Sequence, residues 1–379
     1  MTLKKLLLLF LLLSPLSYGS TDNSNHLGLI YEPEDLIWIL DYKNYSHIRF
    51  LPIHYEIKVA VIDTGIDSSH PDFPEDFMVA GYNTVGTRND GPVSTEPEDL
   101  EDISESDGGH GTPVAGLIVS NQPNGIGPFM GMNPSAKIVN IRWLNEGSSS
   151  YSDYPKAFEL AIEEDVDIIN FSNAMTANNW DNYRINEIFP EIDNNGIIMV
   201  AGAGNRVLDI PVYPANEPTV FGIGMIKIDD TLKGDPGEQV SFVAPGWLIR
   251  SLSRTSDYDY AYASGTSLST PVVSGIISRL LAYDNTLTRD DIESLLINNS
   301  DPVNEEGYGY GLINVETLVN EMGINVETKT IESQDGQGNP IYLVFEIGFD
   351  TNDNNSETGR ILKYIYDSNG TRFSVHKEF

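Results

Sequence analysis

Between about Ile57 and Val315, short unbroken apolar runs alternate with helix-like patterns, and no other feature of the chain constrains its fold as strongly. Lys58–Ile62 reads KVAVI and ends at Asp63. Lys137–Leu144, Asp167–Phe171, Gly196–Ala201 and Val220–Met225 have the same texture. A strand with no polar alternation must be buried on both faces, which is the situation of parallel strands covered by helices. Between these runs, helices are predicted over Thr112–Ser120, Tyr154–Glu164, Arg184–Asp193 and Thr270–Tyr283. The expected fold class is α/β, a mostly parallel sheet flanked by helices. The active sites of such sheets lie at the carboxyl ends of strands.

After Met322 the texture changes. Val326–Ser333 and Ile341–Phe349 are strand-like and flank a turn-rich QDGQGN; Arg360–Tyr366 and Thr371–Val375 flank an Asn-Gly turn at 369–370. Asn-Gly between apolar alternations is a strong hairpin signal. Two hairpins are expected, forming a small antiparallel β appendage over residues 323–379. A unit of this size is marginal alone, so it is expected to pack on the main domain, residues 45–322.

The chain begins MTLKKLLLLFLLLSPLSYGS: two lysines, then an unbroken apolar run of eight from Leu6 to Leu13, then small residues at Ser17 and Gly19. This pattern is a secretory signal peptide, residues 1–19, followed by an extension over 20–44. The run is too short for a membrane anchor, which needs about 20 residues. No cysteine is present, which excludes a disulfide scaffold, a thiol nucleophile and thiolate metal sites. A formal charge of −34 argues against nucleic acid or an anionic membrane surface as partner. Glu96–Asp107 concentrates seven acidic residues in twelve. It reads as a solvated surface loop, or else as a cation-binding loop, although its spacing matches no EF-hand.

Three short motifs carry chemistry. Asp63 ends an apolar run and opens Asp-Thr-Gly-Ile-Asp; His110 lies in GGHGTPVAG just before a helix; Ser267 lies in SGTSLSTP before another. Singly, each is as well explained by a helix cap, a turn residue or a structural histidine. In the chain order Asp, His, Ser they match one of the known arrangements of a serine nucleophile with its base and orienting acid. A serine hydroxyl needs a base within hydrogen-bond reach, and an imidazole can take and return that proton near neutral pH. Gly65, Gly111 and Gly265 stand where backbone must turn or approach closely. Pro271 is expected in the first turn of its helix.

The strings DTGID, GHGTPVAG and GTSLSTP, together with VAGAGN ending at Asn205 and GYGYGLIN over 307–314, resemble the subtilisin-like serine peptidases, the subtilases. The resemblance covers roughly residues 45–320. It implies that Asp63, His110 and Ser267 form a catalytic triad and that Asn205 supplies a side-chain amide to an oxyanion hole. It also implies that an extended peptide lies as an added strand between two segments. One would carry Asn145 and Gly147; the other would carry Ser172, Asn173 and Ala174. Gly202, Ala203 and Gly204 would line the pocket for the residue before the scissile bond, with Val212 at its base. Where the family has glycine after the serine of the second segment, Ser172-Asn173-Ala174 places a methyl group. Leu268, Ser269 and Pro113 are milder departures.

From this resemblance the chain is expected to be a secreted serine endopeptidase working through an acyl-enzyme on protein or peptide substrates. It would be monomeric, with no nucleic acid and no stable membrane insertion. The alternative is a non-catalytic scaffold that binds peptides or surfaces, which would expect a damaged triad. No cofactor is expected for the chemistry; a structural calcium is possible, with Asp72 at a frequent ligand position and Asn121–Gly127 as the partner loop. The stretch from the signal to Asp63 is about 43 residues. That is short for a long folding propeptide, so folding without one, helped by the C-terminal hairpins, is expected.

Overall fold

The computed structural model describes residues 42–85, 93–102, 109–121, 131–144, 154–176, 183–205, 211–254, 260–334, 339–353, 355–366 and 372–378. The signal segment lies outside them. Strands β1 (Lys58–Asp63), β2 (Met78–Asn83), β3 (Lys137–Arg142), β4 (Ile168–Phe171), β5 (Met175–Thr176), β6 (Ile198–Gly202), β7 (Val212–Tyr213), β8 (Val220–Ile226), β9 (Leu232–Lys233) and β10 (Phe242–Pro245) are followed by β11 (Ile249–Leu252), β12 (Tyr260–Ala263), β13 (Ser300–Asp301) and β14 (Leu312–Ile313). The central sheet runs β13-β14-β10-β8-β6-β4-β1-β3-β2. Its pairs from β14 to β2 are parallel, and β13 and β9 add short antiparallel edges.

Both faces of this sheet are covered, as the unbroken apolar runs require. Along β1, Val59 and Val61 join one core cluster, while Ala60 and Ile62 join the other. Helices α1 (Gly111–Val119), α4 (Thr266–Tyr283), α5 (Arg289–Asn298) and α6 (Val315–Glu321) supply the first face. Helices α2 (Tyr154–Glu163) and α3 (Tyr183–Asn194) supply the second. Trp143, Phe158 and Phe171 pack together there with ring centroids 5.2 and 5.4 Å apart.

Helix α4 begins at Thr266, four residues before the expected start. Ser267 therefore lies inside its first turn rather than before it. Pro271 is the sixth helical residue, not a first-turn one, so the helix forgoes the bond that residue 271 would otherwise make to the Ser267 carbonyl. Proline masked the true start: a proline is read as a helix opener when its neighbours are small and polar. Pro113, by contrast, does lie in the first turn of α1.

The C-terminal strands β15 (Ile324–Gln334), β16 (Pro340–Asp350), β17 (Ser356–Tyr366) and β18 (Arg372–Glu378) pair in sequence as one antiparallel sheet. The two expected hairpins are joined by β16–β17 pairing into a meander. This sheet docks on the 3₁₀ segment Tyr42–Phe50. Phe50 seats against Gly348, whose added Cβ would meet its ring carbon at 2.7 Å, and lies near the cross-strand partner Gly359. Ile324 and Ile361 enter the same core cluster as Tyr45 and Phe50.

Candidate active site

The carboxyl ends of β1 and β6 and the N-termini of α1 and α4 bring the sequence motifs to one place. Asp63 is the last residue of β1 and is buried. The chain then turns at Gly65, at φ +102°, where any side chain would meet the Glu101 carbonyl oxygen at 2.2 Å. This is left-handed backbone that glycine adopts without strain. His110 caps α1, and the next residue, Gly111, packs so closely that an added Cβ would lie 2.0 Å from the Gly65 carbonyl. Two glycines thus let β1 and α1 meet.

The meeting sets Nδ1 of His110 2.6 Å from Oδ1 of Asp63. The aspartate side chain is 1% exposed and that of the histidine 32%. The same carboxylate oxygen accepts the Thr64 N–H at 2.8 Å. A buried carboxylate on Nδ1 makes that nitrogen the donor and leaves Nε2 as the basic position.

Ser267, half-buried, sits in the first turn of α4, whose early N–H groups have no partner within the helix. Asn205 follows β6. Its Oδ1 accepts the Thr266 N–H at 2.8 Å, which fixes the amide. A point one Cβ above Gly265 lies 3.0 Å from Ser267 Oγ and 3.3 Å from Asn205 Nδ2. The hydroxyl and the amide therefore face the same small space at the positive end of a helix. Thr266 Oγ1 in turn accepts the Gly204 N–H at 3.3 Å, tying β6 to α4.

Gly202, Ala203 and Gly204 are buried behind Thr266. Val212 lies on β7, where it pairs with Thr176 of β5 while Tyr213 pairs with Met175; Val212 and Met175 are both buried. Ser172 is buried and its Oγ accepts from Asn170 Nδ2 at 3.0 Å; Asn173 is half-buried and Ala174 exposed. Asn145 and Gly147 lie outside the described residues.

One outcome differs from the solvated-loop expectation. Within Glu96–Asp107, residues 103–107 lie outside the described residues, and Glu96, Glu98 and Glu101 are exposed. Asp102, however, is buried at 3% exposure and bonded to the backbone of His110. No periodicity marks one acidic residue among seven as the inward one; the signal was only its place eight residues before His110. Thr64, between Asp63 and Gly65, is also buried and hydrogen-bonded into the site. The Asp72 carboxylate accepts the Tyr260 hydroxyl, with the Arg250 guanidinium 4.0 Å over that ring. Residues 122–127 of the expected partner loop lie outside the described residues.

A model of the subtilase family matches residues 55–311. Subtilisin amylosacchariticus of Bacillus subtilis subsp. amylosacchariticus and subtilisin J of Geobacillus stearothermophilus are each 33% identical over 271 residues, covering 69% of this chain and 65% of the relative. The major intracellular serine protease of Bacillus subtilis (strain 168) is 32% identical, covering 60% of this chain and 69% of that protein. The chain thus spans about 65% of the length of the subtilisins it matches. With the family match extending over most of its residues and Asp63, His110, Asn205 and Ser267 all inside it, the chain belongs to the subtilase family.

Proposed function

We propose that this protein is an exported serine endopeptidase that cleaves peptide bonds through an acyl-enzyme on Ser267. The observation that carries the reading is the 2.6 Å bond between the buried Asp63 and Nδ1 of His110. In this reading Ser267 Oγ attacks the scissile carbonyl carbon while its proton passes to His110 Nε2. The tetrahedral oxyanion is met by Asn205 Nδ2 and the Ser267 N–H. Collapse breaks the C–N bond, and His110 gives the proton to the leaving amine. Water then attacks the ester with His110 again as base, releasing a carboxylic acid and restoring the serine.

The substrate is an extended peptide, paired as an added strand against the segment holding Ser172, Asn173 and Ala174 and against the one holding Asn145 and Gly147. The buried, apolar Val212 at the base of the pocket suits an apolar or small side chain before the scissile bond. Residues 45–322 form the catalytic domain and 323–379 a supporting sheet. The chemistry requires no cofactor, because nucleophile, base and donors are all supplied by the chain. The negative charge fits a monomer that avoids nucleic acid. Among the described residues no helix is long and apolar enough to cross a membrane. Export rests on the N-terminal signal pattern. The printed names of the relatives, subtilisins and a serine protease, support the peptidase reading. No observation favours the binding-scaffold reading.

The test is hydrolysis of casein by the purified protein beside its Ser267→Ala variant. Peptide release by the first alone is expected; equal release by both would overturn the assignment.

A further inference from the structure

We propose that Asp102 is a positioning residue for the Asp63–His110 pair, its single buried carboxylate holding the His110 N–H directly and Asp63 through the side chain of the adjoining Thr64. The inference rests on the serine-peptidase reading. Oδ1 of Asp102 accepts the Thr64 hydroxyl at 2.8 Å. Its Oδ2 accepts the N–H groups of His110 and Thr112, each at 2.9 Å. Thr64 Oγ1, oriented by that bond, accepts the Gly111 N–H at 3.0 Å. The Thr64 N–H donates to the Asp63 oxygen that holds His110 Nδ1. The hydrogen bonds form a closed circuit: Asp63, Thr64, Asp102, His110 and back to Asp63.

A second effect comes from charge. Helix N-termini are positive because their first N–H groups lack intrahelical partners. Here that end stands directly behind the imidazole that must become a cation during the reaction. The Asp102 carboxylate takes the N–H groups of His110 and Thr112, and so offsets a field that opposes the imidazolium. The other charged groups around the pair are few among the described residues. Asp63 faces it from β1. Arg254, following β11, donates to the Asp102 carbonyl at 3.3 Å. Arg142, at the end of β3, donates to the Asp99 carbonyl at 2.9 Å, and its guanidinium also feels the Asp102 charge. Both arginines bond to backbone carbonyls of the 99–102 segment and so brace it from behind.

The two roles separate in two variants of the full chain. Asp102→Asn keeps the shape and removes the charge; Thr64→Val keeps the charge and opens the circuit. Each is compared with wild type for kcat and KM on a chromogenic peptide, the pH profile of kcat/KM, the rate of fluorophosphonate labelling and the melting temperature. For Asp102→Asn we expect kcat and labelling rate to fall on the order of 10- to 100-fold with KM within about twofold. The acid limb of the profile should move to lower pH, because a nearby negative charge favours the imidazolium. For Thr64→Val, kcat should fall with the acid limb unmoved. Wild-type kcat and pH profile in a folded Asp102→Asn would overturn the proposal. So would an unmoved acid limb together with activity lost only in proportion to unfolding in both variants. Failure of the wild type itself to label would instead sink the peptidase reading, which keeps the two failures distinct.

Discussion

Oδ1 of Asp63 holds Nδ1 of His110 at 2.6 Å and the Thr64 N–H at 2.8 Å, so one buried oxygen fixes both the strand end and the imidazole. The aspartate sets which ring nitrogen carries the proton. In Asp63→Asn an amide faces Nδ1, and its N–H favours the wrong tautomer. We expect kcat at neutral pH to fall by about 10⁴ with the fold intact, measured by steady-state kinetics alongside circular dichroism. A loss below tenfold would mean that the tautomer is set elsewhere.

Asn205 is locked through its carbonyl by the Thr266 N–H, which leaves its amide nitrogen facing the space above Gly265 that Ser267 Oγ also borders. An oxyanion there gains a donor that the ground-state carbonyl uses poorly. Asn205→Ala should therefore lower kcat by about 10²–10³ and leave KM nearly unchanged. A change in KM alone would place Asn205 in substrate binding.

The C-terminal sheet is held to the catalytic body by Phe50 on Gly348, by the buried Ile324 and Ile361, and by His47 Nε2 lying 3.3 Å from Glu346 Oε2. Phe50→Ala should cost about 3–5 kcal/mol of stability, as read by denaturant unfolding. Deleting residues 324–379 should expose this apolar face and slow refolding. Unchanged stability and normal refolding of the shortened chain would remove any supporting role for the sheet.

Helix α5 opens with a capping box in which Thr288 accepts the Asp291 N–H and Asp291 accepts the Thr288 N–H. The Thr288 hydroxyl and then its N–H, both donated to the Asp291 carboxylate, lower the Asp291 pKa from its ordinary value. A carboxyl whose folded pKa is depressed stabilises the fold above its unfolded pKa, about 3.9, and that contribution disappears as pH falls through the folded one. Asp291→Asn should reduce the melting temperature at neutral pH and converge with wild type in strong acid. A constant difference at all pH values would contradict this assignment.

The parallel sheet was legible because Val59, Ala60, Val61 and Ile62 feed two opposite cores and so leave no polar alternation. The motif residues were legible because Gly65 and Gly111 are tied to backbone approaches that tolerate no other side chain. Asp102 was hidden for the opposite reason. Six acidic neighbours in its stretch gave it the composition of a solvated loop, and only the fold turns it inward beside Thr64 and His110. The joining of the two hairpins into one sheet was equally silent, since β16–β17 pairing depends on register across a turn without an Asn-Gly signal. The start of α4 was obscured by Pro271, which local rules place at a helix opening.

The most direct test of the central claim is fluorophosphonate labelling of the purified protein beside Ser267→Ala, read by intact mass. One adduct on the wild type and none on the variant is the expected result, because only an activated serine attacks the probe. An unlabelled but folded wild type, or equal labelling of the variant, would contradict the assignment of Ser267 as the nucleophile.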